Sequence, residues 1–219
     1  MDRTGLHLKV ALWILLLGAW LGPGAHAAER YTVDRAQSFV RIAAKMCEPD
    51  VLKGEFGDVS GEIRLDETNL ENSSITLTLN VADVVFDHEF HRTDNIKDIA
   101  LGERLLNVIK FPLVTFKSTH VVRTNEQKIE SYGESSRIIV ATVKGELTLV
   151  GVKRPFEMEV TFHESTGLTK DGRIVAAFSA LGTLKRSDFG VIYGLDRVGI
   201  RRMGDEVMVM ASITANRSQ

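Results

Sequence analysis

The chain is poor in the residues that staple, break or strongly charge a fold. It has one cysteine, Cys47, so no internal disulfide can form even in an oxidising compartment. It has four prolines and no Gly/Ser-rich or low-complexity run, which leaves no linker signal within the chain. No repeat of fixed period is present. Charge of one sign is lacking too: 27 basic and 29 acidic side chains give a formal net charge of −2. That balance argues against nucleic acid as the main partner. Also missing are the glycine patterns of phosphate-cradling loops, the G-x-S-x-G elbow and CxxCH. Nucleotide-phosphate cradling, elbow-type serine hydrolysis and covalent haem attachment therefore have no sequence support.

Long apolar runs are rare as well. The one that stands out, VALWILLLGAWL at residues 10–21, is shorter than the ~20 residues of a membrane span. Arg3 and Lys9 precede it, and Gly22-Pro23-Gly24 and Ala25-His26-Ala27 follow it. A basic start, a short apolar block, a breaker and an A-x-A site predict a secretory signal over residues 1–27, cleaved between Ala27 and Ala28. The remaining 192 residues, 28–219, carry a formal net charge of −3. This length suits one domain with a sizeable core.

What is present is alternation. Residues 38–44, 59–65, 74–81, 113–119, 137–150, 155–164, 173–184 and 206–215 read as strands, with apolar residues at every second position. Thr124-Asn125, Gly133-Glu134, Lys170-Asp171-Gly172 and Gly204-Asp205 read as turns between them. Such spacing predicts an all-β antiparallel barrel or sandwich. Helical spacing occurs only in residues 94–111, with Asp94 as N-cap. Gly102 divides that stretch into two short pieces, the second carrying Leu105, Leu106 and Ile109. A further helical turn is expected at residues 186–190, capped by Ser187 or Asp188. In residues 173–181 and 207–213 both faces are largely apolar, which a sheet wetted on one side does not need. The pattern fits a lumen on one side and a helix, loop or partner on the other, or two stacked sheets.

Residues able to do chemistry are thinly spread. His88 and His91, near Asp83 and Asp87, form too small a set for zinc, which takes three or four ligands. His120 and His163 fall on separate strands. Cys47 would need a histidine base oriented by a third group, and no pattern supplies one. The expectation is a non-enzymatic protein with no metal and no cofactor.

Four segments, YTVDRAQS (31–38), KFPLVTFKS (110–118), GELTLVGVKRPF (145–156) and LKRSDFG (184–190), resemble the YceI-like periplasmic proteins in order and spacing. The resemblance spans about Tyr31 to Thr214. It implies a lipocalin-like, eight-stranded antiparallel barrel with an apolar lumen and short helices covering one end. It also implies a periplasmic location and a long amphiphilic lipid as ligand, notably a polyisoprenoid such as a polyprenyl phosphate or a quinone. Two positions depart from the family pattern. Gln37 stands where the family carries His, and Ile96-Lys97-Asp98-Ile99-Ala100 stands in place of an R-D-x-H-L element.

Strand parity selects the inward set. Val40, Ile42, Leu77, Leu79, Phe116, Leu147, Leu149, Phe156, Met158, Val160, Phe162, Phe178 and Val209 would line the lumen and offer no charge. Arg92, Arg104 and Arg186 are the candidate headgroup contacts. Burying ten methylene-sized groups contributes roughly 8 kcal/mol, from which association and tail ordering subtract several, so a long tail is required. Transient membrane contact fits such a ligand, and the pattern sets no oligomeric state. Two other readings stay open: an accessory or enzyme of quinone or prenyl-lipid redox chemistry, and a structural or stress-related barrel filled by its own side chains.

Overall fold

The computed structural model describes residues 28–46, 51–87, 96–131, 134–163, 175–195 and 203–218. Eleven strands follow in chain order. They are β1 (Glu29–Val33), β2 (Phe39–Lys45), β3 (Val51–Phe56), β4 (Val59–Leu65), β5 (Ser74–Asn80) and β6 (Val85–Phe86). After the short helix α1 (Ile96–Leu101) come β7 (Leu113–Ser131), β8 (Glu134–Leu149), β9 (Val152–His163), β10 (Val175–Lys185) and β11 (Glu206–Arg217).

All pairings are antiparallel, and β1, β4, β5, β7, β8, β9, β10 and β11 form a ring closed by β1 on β11. β2, β3 and β6 prolong three of its staves. β11 pairs with β1 at residues 215–217 and with β2 at 207–212, while β3 pairs with both β2 and β6. The result is a closed eight-stranded barrel, with the two-residue β6 as the outer strand of the extension. β8, β9, β10 and β11 keep a strict two-residue period in register, and this sets Phe162 beside Ile139 and Phe178. Their inward side chains share one core with Tyr31, Val33, Val59, Ile63 and Phe116.

Several local expectations are corrected. Thr124-Asn125 is not a turn: β7 runs through it, with a register shift between Arg123 and Asn125. β1, β3 and β6 were not among the expected strands. Lys53 and Glu55 in β3 are polar outward residues, and Gly54 offers the inward face no side chain. The second piece of residues 94–111 is a set of turns rather than a helix, with Leu105, Leu106 and Asn107 donating to Gly102 O, Ala100 O and Gly102 O. Residues 186–189 form a 3-10 turn whose N-cap is Lys185, without a side-chain cap bond. Asp205 takes that role instead, accepting from Ser187 N at 2.9 Å and Ser187 Oγ at 2.7 Å. The signal sequence, Asp94 and Lys170-Asp171-Gly172 lie outside the described residues.

Candidate functional site

At the end where β2, β6, β8 and β10 finish, the lumen holds a cavity of about 160 Å³. Val40, Ile42 and Ala44 of β2, Leu52 and Phe56 of β3, and Val207 and Val209 of β11 form one wall. Leu79, Val81, Phe86, Val114, Leu147, Leu149, Phe156 and Leu184 complete the sides. Ile96, Ala100, Leu105 and Leu106 cover it from one segment, and Val191 and Met203 from another. Among the described residues of these walls, Arg186 is the one charged side chain.

Arg186 is buried at 4% exposure, and its guanidinium is occupied by backbone. Nε donates to Gly204 O at 2.8 Å, Nη1 to Val191 O at 2.8 Å and Tyr193 O at 2.9 Å, and Nη2 to Met203 O at 2.9 Å. Burial lowers its pKa, and the nearby Asp205 carboxylate opposes that shift. At Asp205, burial raises the pKa, but the Ser187 hydrogen bonds and the Arg186 and Lys185 charges outweigh it and hold the carboxyl below its usual range. The guanidinium thus gathers one cover of the cavity onto the barrel. This is a tie to the loop, and it leaves little for a headgroup. Arg104 is exposed on the other cover, and Arg92 lies outside the described residues.

The inward candidates divide into three groups. Val40, Ile42, Leu79, Leu147, Leu149, Phe156 and Val209 line the cavity. Val160, Phe162 and Phe178 line a second space of about 30 Å³ toward the opposite end, with Ile63, Ile75, Ile139 and Val143. There Phe162 and Phe178 stack with centroids 5.1 Å apart. Leu77, Phe116 and Met158 line neither space, though all three pack in the core. Phe116 meets Phe156 edge-on at 6.1 Å. These rings lie over Gly145 and Gly182, where a Cβ would come within 2.5 Å of Phe116 and 2.6 Å of Phe156. Close approach of a ring to backbone is what glycine inside a strand permits. The middle of the lumen is therefore filled.

Ala44, Leu52, Phe56, Val114 and Val207 line the cavity but were absent from the sequence-based set. Val207 shares the parity of Val209, and that signal was available. Leu52 and Phe56 belong to β3, where no strand was expected. Gln37 is exposed and donates to Asp34 at 3.4 Å, outside the cavity. Cys47, His88 and His91 lie outside the described residues. Asp83 accepts from the backbone of Gly57 and Asp58 at 2.9 and 2.7 Å, and no group of three potential metal ligands occurs among the described residues.

A YceI-like domain model matches residues 31–215. The chain belongs to the YceI-like family. Among its relatives, a UPF0312 protein of Ectopseudomonas mendocina is 33% identical over 188 residues, covering 84% of this chain and 88% of that one. Of solved structures, Burkholderia cenocepacia BcnA superposes with a TM-score of 0.60 at 23% identity, over 83% of this chain and 98% of that one. A structure described as a polyisoprenoid-binding domain from Saccharophagus degradans, implicated in plant cell wall breakdown, gives 0.57 at 12% identity. It covers 88% of this chain and all of that one. These likenesses establish the YceI-like barrel.

Proposed function

We propose that this YceI-like protein is an exported lipid carrier that holds the hydrocarbon tail of a polyisoprenoid, or a similar long amphiphile, in its barrel. The observation that carries the reading is the cavity of about 160 Å³ with aliphatic and aromatic walls. A void of about 150 Å³ with such walls takes up benzene, so this one suits about one five-carbon prenyl unit as it stands. Five or six carbons contribute roughly 4–5 kcal/mol, which association costs largely cancel. Useful affinity therefore requires the tail to continue, past the cover at residues 96–111 or by turning Phe156 and Met158 aside. Family membership supports the reading, as does the ligand class in the description of the Saccharophagus domain. No described side chain on the cavity wall is a nucleophile or titrates near neutral pH, which favours retention of the lipid over chemistry on it.

The cavity end also carries exposed apolar side chains, Ile109 at 96%, Ile192 at 63% and Val85 at 62% exposure. These would insert into a bilayer during pick-up and delivery. Ile109→Ser with Ile192→Ser is expected to lower co-sedimentation with lipid vesicles.

The filled middle of the lumen favours a second reading, a barrel whose interior is its own core. Mass spectrometry of lipid extracted from the purified protein, with titration by a long-chain prenyl probe, separates the two. A co-purifying prenyl lipid near one per chain and saturable probe binding are expected. Neither co-purification nor binding would leave the filled-core reading.

A further inference from the structure

The outer wall carries a row of four residues with opposite charges at its ends. Arg41 on β2 lies opposite Met210 on β11, Met210 opposite Leu181 on β10, and Leu181 opposite Glu159 on β9. All four are exposed. With Met208 they make an apolar patch in which Leu181, Met208 and Met210 are 49%, 45% and 39% exposed. A wetted outer face normally puts polar side chains at such positions. Ala43, Met208 and Thr183 form the adjoining row on one side, and Ser179 and Ser212 stand opposite each other on the other side. Phe39 stands opposite Ser212 at the β2 end of that row, so an aromatic ring borders the patch beside Arg41.

The geometry points to a second copy of this chain as the occupant of this face. A two-fold axis running along the strands between β10 and β11 maps the row onto itself reversed. Met210 of each copy then faces Leu181 of the other, and Arg41 faces Glu159, at both ends. An axis across the strands would instead set Arg41 against Arg41 and Glu159 against Glu159, which like-charge repulsion disfavours. The charge order therefore selects one symmetry. Strands lie about 4.8 Å apart, so the charged pair sits roughly 7 Å to either side of the axis, where two convex walls diverge. Long side chains are suited to that gap, and shorter ones to the crest. Glu159 has no ion-pair partner among the described residues. Arg41 bonds Glu55 through Nε at 2.6 Å and stacks on the Phe39 ring at 4.4 Å, leaving its Nη groups for a second carboxylate.

An axis along the strands keeps both cavity ends on the same side of the dimer. Strand tilt of about 35–45° from the barrel axis makes the two barrel axes cross at the contact instead of running side by side. The contact is small, so the association is weak and reversible.

Sedimentation analysis of the purified protein at rising concentration tests this. A dimer dissociating in the micromolar range is expected, on the order of −8 kcal/mol. Leu181→Lys should weaken it at least ~10-fold, and thermal unfolding of the variant checks its fold. If that variant does not fold, Met210→Gln takes its place. Arg41→Glu and Glu159→Arg should each weaken the dimer, and the two together should restore it, since they only exchange the ends of the row. A monomer throughout, a dimer indifferent to the apolar substitution, or a double variant no better than the singles would overturn the proposal. None of these outcomes depends on whether the cavity takes lipid.

Discussion

One end of the lumen holds about 160 Å³ and the other about 30 Å³, although strands with the same alternation build both. At the filled end, Phe162, Phe178, Ile139 and Val143 reach across from neighbouring strands and meet. At the open end the inward positions include Ala44, Val207 and Val209, and the barrel is finished by loops instead of side chains. A period of two therefore says which residues point inward, while their size and the cover above them decide whether space remains. Ala141, Val143 and Val160 line the filled end as well, so room for a ligand depends on how the side chains meet and on the tie that holds the cover.

The tie gives the largest expected effect. Arg186→Met should cost about 2–4 kcal/mol in denaturant unfolding, because it removes the guanidinium from two buried carbonyls, Val191 O and Met203 O, and two part-buried ones, Tyr193 O and Gly204 O. Unfolding unchanged within error would show that the cover does not depend on this residue.

A matched pair of substitutions then sets the two ends against each other. Val160→Trp enlarges a buried side chain at the filled end and should cost about 1–3 kcal/mol through overpacking, with slight effect on a probe held at the other end. Val209→Trp puts the same indole into the open cavity. It should cost under ~1 kcal/mol, since it fills a void, and abolish binding of a prenyl probe. Equal destabilisation by both would erase the distinction between the ends.

The smallest effect is in acid. Asp205 has a depressed pKa, so its contribution is complete above the ordinary carboxylate value of about 3.9. It is lost as pH falls through the lower folded value. Asp205→Asn should lower stability modestly at neutral pH, where the carboxylate contributes, and converge with the parent in that acid range, as read from unfolding at a series of pH values.

Much of the barrel was legible because β4, β5, β8 and β9 alternate cleanly, and β9 shows its inward face as Phe156, Met158, Val160 and Phe162. β6 is two residues long, too short for any period to register. Thr124-Asn125 has turn chemistry, and a strand irregularity uses the same chemistry. Which inward residues would border open space was not legible. Phe116 and Leu147 pair across β7 and β8, yet only Leu147 reaches the cavity, because the Phe116 ring lies over Gly145. The role of Arg186 left no trace in the sequence. Its four acceptors are backbone carbonyls, which every residue supplies, and only the placement of residues 191–193 and 203–204 in the fold brings them together.

Closure of the ring by β1 on β11 has one more consequence. Tyr31 stands opposite Arg217, and Ser218 N donates to Arg30 O at 2.8 Å, so the two ends of the barrel sequence meet side by side. Going round the ring, strand order follows chain order. Linking those ends and cutting the chain at the β8–β9 turn, at Val150 and Gly151, would keep each strand beside the same neighbours. Such a circular permutant should fold to the same barrel. The contacts farthest apart along the chain would then be ones that are now a tight hairpin, and the slow step of folding, which follows sequence separation, should move with them.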